Sequence, residues 1–416
     1  MLRSMQLFRR YAPLVQSFVF ILLVIEFLDE LIYGAGEAAL PVMQSDLGMT
    51  YVQVGLLFSI PNFVASIIEP IIGIRADIPG KRRGLVLGGG MMVALSLAVI
   101  SVAPNFLVLL LAYVVIFPAS GAFVSLAQAT LMDTEPERHD QNMARWAFAG
   151  SIGVIGGALL VFLITSIGLT WREMMFGLAI FTGFIVALTW RFPFGVESET
   201  SDDDEDEDEA PQTLIDGLRG AVGMLRQWHV LRWLTLLQVS DLLLDVFTGY
   251  LALYLVNEIG LSVETGALVL VVMKIVGLVG DFLVIPLLER VDGVTYVRFS
   301  AALQLVLFPA FLLIEPIIPK LIFLGISHFF TAGWYPVLQG RLYSAMPGRS
   351  GTVMAVSGIF GLVGTVIPLV IGIVADEFSL VTALWMLMIA PIALFIGVPK
   401  SVRGFVSNAE DDASGN

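Results

Sequence analysis

The chain contains no cysteine and only three histidines. Disulfides, thiolate nucleophiles and cysteine-held metal or redox centres are therefore excluded. His139 and His229 fall in loops without the spacing of a metal motif, and there is neither a Walker loop nor a dinucleotide fingerprint. No cofactor and no enzyme activity are expected. Charge is scarce too: 14% of residues are Asp, Glu, Lys or Arg, and only four are lysines. With 36 acids against 22 bases, the chain offers no basic surface for nucleic acid.

What the sequence has instead is apolar length. Hydrophobic residues make up 57% of it, and mean hydropathy is +0.89. A helix needs about 20 predominantly apolar residues to cross a bilayer. Twelve runs suit that length: 15–41, 51–73, 84–103, 105–132, 144–167, 172–192, 231–256, 264–288, 296–316, 319–345, 351–374 and 379–398. In hydrocarbon only helices and closed barrels satisfy their own backbone, and these runs lack a two-residue alternation. The expected fold is an all-α membrane protein of twelve transmembrane helices in the lipid bilayer. Its opening run reads as a signal anchor rather than a cleaved signal.

Basic residues fall on one side of these runs, except Arg172 and Lys320 on the other side and Lys274 inside a run. Positive loops stay cytoplasmic, so a plasma-membrane protein with both termini inside is expected. Ten acids crowd residues 197–209 and read as a solvated, self-repelling linker. After it, Leu214, Ile215, Leu218, Ala221, Val222, Leu225 and Trp228 recur at helical spacing, as in a helix lying on the membrane surface. The expected division is two six-helix halves, 1–193 and 231–400, a linker at 194–230, and an acidic tail at 401–416. The few lysines and the acids Glu410, Asp411 and Asp412 resemble the composition of proteins from salt-loving archaea.

The chain also repeats itself. A shift of 212 residues places Asp29 on Asp241, Gly48 on Gly260, Glu69 on Asp281 and Asp77 on Glu289. A shift of 211 places Pro136 on Pro347, Arg138 on Arg349 and Gly150 on Gly361. Duplicated membrane halves with acids at matching depths are the build of a secondary transporter.

Between the second and third runs stand Gly73, Arg75, Asp77, Gly80, Lys81, Arg82 and Arg83. A glycine, an acid four residues on, then a glycine and a basic cluster resemble the signature loop of the major facilitator superfamily. The twelve runs, the central linker and the six-plus-six repeat extend that resemblance over the whole chain. The resemblance implies that this loop gates the cytoplasmic side. Asp77 would pair near the start of the eleventh span, and Lys81 or Arg82 with Asp133 at the end of the fourth. It also implies that spans one and seven line a central cavity. The second copy of the loop is degenerate: Glu289 takes the place of the acid, Asp292 and Gly293 follow, and only Arg290 and Arg298 remain of the bases. Two departures weigh against a drug–proton antiporter. Phe117 stands where such members often carry Arg, and the glycines from Gly153 to Gly157 lack the usual proline.

Several ionisable residues lie inside the spans. Glu26, Asp29, Glu30 and Glu37, with Tyr33 among them, fall within an arc of about 100° on one helix. A charge at the bilayer centre costs roughly 2.5–3.5 kcal/mol on insertion scales. Such a face must line water or be partly protonated; Glu26, Asp29, Glu30 and Tyr33 are expected at the substrate or coupling-ion site, with Glu26 and Glu37 near the interfaces as the plainer reading. Asp241 and Asp245 lie one turn apart on the seventh span, facing the same cavity as Asp29. Lys274 in the eighth span needs a carboxylate, and Asp241, Asp245 and Asp281 are its candidates. Asn62, the repeat-mate of Lys274, is expected in the cavity wall. Glu69 and Asp281 lie nearer the cytoplasmic ends, where they suit gating or proton exit. His328 could relay protons, and Arg341 reads as an interfacial anchor.

These features together point to a secondary transporter of small molecules working by alternating access, able to act as a monomer. The excess of buried acids favours proton-coupled export of cationic or neutral amphiphiles. Proton- or sodium-coupled uptake of a metabolite such as a sugar is the alternative, and a sensor or scaffold on a transporter fold is the reading from another class.

Overall fold

The computed structural model describes residues 2–76, 80–134, 139–192, 226–288, 290–345 and 360–399. It is helical throughout, with no strand among the described residues. Helix α1 is one piece, Leu2–Leu47, followed by α2 at Tyr51–Ala76 and α3 at Arg82–Ser101. Helix α4 runs Phe106–Ser120, passes through a π turn at Gly121–Ser125 and continues as Leu126–Thr134. Then come α5 at His139–Ser166 and α6 at Trp171–Thr189. Helix α7 begins at Trp228–Asp241 and carries π turns at Leu242–Val246 and Tyr254–Glu258, on either side of Phe247–Leu253. Helices α8 and α9 are Val263–Leu288 and Gly293–Leu313. Helix α10 comes as Ile317–Thr331 and Trp334–Ala345, α11 is Ile367–Glu377, and α12 joins Leu380–Trp385 to Ile389–Gly397 through one 3-10 turn.

Among the described residues, 11 helices are long and apolar enough to cross a membrane. The twelfth expected span is α1, whose middle carries Glu26, Asp29, Glu30 and Glu37 and is too charged to count with the rest. Large side chains exposed along the spans, such as Leu107, Leu111, Phe176 and Ile180, are apolar and suit lipid. Gly48 and Gly260, matched in the repeat, both adopt positive φ just past α1 and α7, at 60° and 79°. Glycine enters that left-handed region without strain and ends a helix there. The linker acids, the amphipathic stretch up to Leu225 and the acidic tail lie outside the described residues.

By internal contacts the chain forms two compact units. The first comprises Met1–Asp208, Tyr250–Lys274 and Thr365–Leu380. Its core gathers Leu22, Ile25, Leu28, Phe123, Ala127 and Trp146 from α1, α4 and α5. Helix α1 packs along α5 with backbones almost touching. A Cβ on Gly34 would lie 3.0 Å from Val154 Cα, and one on Gly157 would lie 2.8 Å from the Gly34 carbonyl carbon. Between lipid-embedded helices, small residues allow this approach and the dispersion energy it brings. The second unit comprises Glu209–Gly249, Ile275–Gly364 and Val381–Asn416. There α9 packs on α10 and α12, and the first part of α7 packs on α12 and the second part of α10.

A second close seam in the first unit joins α2 to α11. A Cβ on Gly55 would fall 2.8 Å from Leu369 Cα. Polar groups close the seam along its length. Ser59 Oγ accepts from the Leu369 N–H at 3.2 Å, and the Tyr250 hydroxyl donates to the Pro368 carbonyl at 2.7 Å. At the start of α2, Thr50 and Gln53 form a reciprocal cap, at 3.2 Å and 3.0 Å. That leaves two N–H groups of the first turn, and Asp376 of α11 accepts both. Its Oδ1 lies 2.8 Å from Tyr51 N and its Oδ2 lies 2.7 Å from Val52 N. A carboxylate at a helix N-terminus also gains from the positive end of the dipole.

Two outcomes follow from these seams. Gly157→Ala should lower unfolding stability by about 1–3 kcal/mol, because a methyl there overlaps backbone. Gly177→Ala, with nothing within 4 Å of the new Cβ, should leave the melting temperature of the detergent-solubilised protein unchanged. Asp376→Asn exchanges a charge-assisted acceptor for an amide N–H facing an N–H, a loss of about 1.5–3 kcal/mol. The cysteine-free background permits Ser59→Cys as a single reporter. Its maleimide labelling in purified protein should speed up about tenfold or more when Asp376→Asn is added.

Candidate functional site

The acidic face of α1 serves two neighbours. Glu26 and Glu30 turn toward α5, where a Cβ on Gly150 would lie 2.7 Å from Glu26 Oε1 and one on Gly153 would lie 2.8 Å from Glu30 Cβ. Asp29, Tyr33 and Glu37, each one helical turn after the last, line a cavity of about 300 Å³. That volume is at the small end of the range for ligand pockets. Helices α2 and α4 complete the wall with Phe58 and Glu69, and with Tyr113, Phe117, Ser120 and Gly121.

Helix α4 is shaped for this wall. Pro118 cannot donate to the helix ladder, and the π turn begins three residues later at Gly121. Just before it, Ser120 Oγ donates to Asp29 Oδ1 at 2.5 Å. Just at it, the missing side chain of Gly121 admits Glu69, whose Oε1 would lie 2.6 Å from a Cβ there. Tyr113 Oη lies 3.5 Å from where a Cβ of Gly36 would stand.

Among the described residues, the ion pair of Lys274 is with Glu37 rather than with the expected candidates Asp241, Asp245 and Asp281. Its Nζ lies 3.4 Å from Oε2 of Glu37. Asp281 shares its helix but is seven residues away, about 10 Å along the axis at 1.5 Å per residue. Asp241 is held instead by Gln238 Nε2, one turn back, at 3.5 Å. Glu37 is not at a wet interface: its side chain is 4% exposed, and Lys274 is 22% exposed. The other Glu37 oxygen, Oε1, is buried and has no hydrogen-bond partner among the described residues. Glu26, also expected near an interface, is buried as well.

The remaining expected residues are placed as follows. Asn62 is exposed and donates to the Phe58 carbonyl of its own helix at 2.8 Å, outside the cavity lining. In the second unit, Asp245 falls in the π turn after Asp241, and Asp281 is exposed on α8. The His328 ring packs on α8, where a Cβ on Gly277 would lie 3.1 Å from its Nε2. Arg341 is more than an anchor, since its Nη2 pairs with Asp292 Oδ1 at 2.5 Å. Asp292 meanwhile caps α9 by accepting from Thr295 N at 3.4 Å. In the loop expected to gate, Gly80 has φ of 77°, a value that favours glycine. Gly73 lies in the last turns of α2, and Lys81 and Arg82 open α3. Asp77, Glu289 and the side chain of Asp133 lie outside the described residues.

Among the described residues, the cavity thus brings together Asp29, Tyr33 and Glu69 of the expected set. It adds Glu37, Tyr113 and Ser120, which the sequence reading did not place in the site. Asp376 was missed too. Its signal was available in part, because the Thr50–Gln53 cap leaves two donors at the start of α2 open to an outside acceptor.

Comparison with known proteins agrees with this architecture. The family model described as Major Facilitator Superfamily matches residues 20–367. A bacterial homolog of the human lysosomal transporter Spinster, solved inward-facing and unoccupied, superposes with a TM-score of 0.74 at 14% identity, covering 93% of this chain and 96% of that one. A mutant form of the nucleoside transporter NupG gives 0.76 at 14% identity, covering 92% of this chain and 100% of that one. An uncharacterized membrane protein of Saccharomyces cerevisiae, YJR124C, is 34% identical over 138 residues. That match spans 32% of this chain and only 30% of the yeast protein. With its family model running through most of its length and these folds overlaying it, the chain belongs to the Major Facilitator Superfamily of secondary transporters.

Proposed function

We propose that the chain is a proton-coupled transporter of a small neutral or cationic molecule, with Asp29 as a proton-carrying group. One observation carries this reading: Asp29, Glu37 and Glu69 line one cavity, with Ser120 orienting Asp29 and Lys274 on Glu37. As a carboxylate, Asp29 accepts the Ser120 hydroxyl. Once protonated, it becomes a donor and its charge no longer has to be kept facing water. The two forms therefore favour different surroundings, which is what coupling a proton to a conformational change requires. Asp241, its repeat-mate, is assigned the same role in the other half.

In this reading two six-helix halves, 1–193 and 231–400, alternate access in the plasma membrane, joined by the acidic linker at 194–230, with both termini cytoplasmic. Acids outnumber bases around the cavity, which favours export of cationic or neutral compounds in exchange for protons. The Glu37–Lys274 pair supports a second reading, symport of a neutral metabolite with a proton or sodium, because it occupies one acid that a cationic cargo would otherwise use.

The test is intraliposomal pH with the purified protein while cationic, neutral and anionic compounds are added. A substrate-dependent pH change is expected, falling at least about tenfold in Asp29→Asn together with Asp241→Asn, while counterflow exchange of the substrate persists. Gradient-driven flux unchanged in that double variant would refute the proton role. Flux that follows sodium after the proton gradient is collapsed would reassign these carboxylates as sodium sites.

A further inference from the structure

We propose that Glu37 and Lys274 form a split recognition pair for a neutral, hydroxyl-bearing ring compound, one sugar-like hydroxyl bridging the two. This rests on the transport reading and names the chemistry of its cargo.

The pair is incomplete on both sides. At 3.4 Å it is longer than the 2.7–2.9 Å of a strong charge-assisted hydrogen bond. Glu37 Oε1 is a buried acceptor with no donor among the described residues, on a residue that lines the cavity. Nearly every buried polar atom in a folded protein is satisfied, so an orphan at a cavity wall marks a place for a ligand donor. An ammonium has three donors and no acceptor, and among the described residues the ion-pair acceptor of Lys274 is Glu37 Oε2. Glu37 on the cavity wall thus offers an unused acceptor, with the Lys274 ammonium 3.4 Å from its other oxygen.

Charge then selects the ligand. A cation at Oε1 would sit beside the Lys274 ammonium. An anion at Lys274 would face Glu37, with Asp29 and Glu69 on the same wall. A hydroxyl both donates and accepts, so it gives its proton to Glu37 Oε1 and takes one from Lys274 without adding charge. Asp29 and Glu69 supply further acceptors for neighbouring hydroxyls. The lining also holds four aromatic rings, Tyr33, Phe58, Tyr113 and Phe117, among aliphatic side chains such as Leu57 and Ile116. Tyr113 and Phe117 stand with ring centroids 6.2 Å apart and planes tilted by 41°, giving apolar surface against which a ring can pack.

Three probes of one shape separate these charge classes: phenyl glucoside, neutral; phenyl glucosaminide, cationic; phenyl glucuronide, anionic. Binding is read by calorimetry and thermal shift on the purified full-length protein in detergent. The neutral probe should bind about tenfold tighter than either charged one. Lys274→Met should move the preference toward the cation, and Glu37→Gln toward the anion. Should a lone charge left behind prevent folding, Glu37→Gln with Lys274→Met carries the test as a neutral pair. That double variant should keep the ring, bind the neutral probe more weakly and discriminate less between the charges. Tighter wild-type binding of either charged probe, or variants with the wild-type order of preference, would overturn the proposal. Binding of none of the three would overturn it as well. Proton movement in liposomes and its loss with Asp29→Asn are read separately, so the cargo assignment can fail while the coupling reading stands.

Discussion

A charge carried into hydrocarbon must find water, a counter-charge or the end of a helix, and the arrangement of this chain follows from that requirement. The bases show it best. Lys274 finds Glu37. Arg172, one of two bases set apart from the side where the sequence gathers most of the others, donates to the Ala103 carbonyl just past α3 at 2.8 Å and pairs with Asp46 at 2.9 Å. Lys320, the other, is buried against the last carbonyls of α9, 3.0 Å from Phe311 O and 3.3 Å from Leu312 O. Arg232 does the same for α12 at Gly397 O, 2.7 Å from its Nε. Acids take the opposite ends: Asp376 at the start of α2 and Asp292 at the start of α9. Apart from Lys274–Glu37, these residues satisfy backbone groups that a helix leaves open at its termini, with the sign the dipole favours. What looks like an exception to the positive-inside pattern is thus a helix cap.

The second constraint is distance. Carboxylates on α1 and α2 fit against α5 and α4 only because glycines there leave them room. Gly150 and Gly153 receive Glu26 and Glu30, and Gly121 receives Glu69. A methyl at any of these would push the carboxylate or the helix away. The π turn at Gly121 belongs to the same device. It interrupts the α register next to Ser120, where the hydroxyl that holds Asp29 projects. Packing and polar chemistry are therefore not separable in this wall: the small residues that bring helices together also fix where the acids point.

The spans, their helical state and the gate-loop glycines could be read from sequence because they rest on local properties: hydropathy, length and backbone freedom. So could the polarity of Asp29 and Tyr33, since mid-span polarity is itself a local signal, whereas Glu69, expected nearer the cytoplasmic end, lines the same cavity. The partner of Lys274 could not. The sequence offered Asp241, Asp245 and Asp281 as candidates, whereas the neighbour lies 237 positions back, at Glu37, as the interval 274 − 37 shows. Only tertiary packing sets that contact, and Glu37, near the end of an acidic stripe, read as an interfacial residue. The stripe was seen as one face, yet its five polar residues split between α5 and the cavity. Periodicity fixes the angle of a side chain about its own helix, but not which neighbour fills that angle. Asp376 was hidden for the same reason, because its helix-capping partner is in another span.

The incompleteness of the Glu37–Lys274 pair has a thermodynamic meaning. A ligand shifts a conformational equilibrium only by the difference in its affinity for the two states. A molecule that merely filled the cavity against Phe58 and Phe117 would bind without biasing anything that moves. One that takes the open oxygen of Glu37 and a donor of Lys274 ties its own binding to whether α1 and α8 are in contact at that point. A fully satisfied ion pair would resist such a ligand, since every bond gained would replace one lost. A long pair with a vacant acceptor instead leaves something to gain while α1 and α8 stay together. It is therefore the under-satisfied contact, rather than the strongest one, that suits a wall required to sense its cargo.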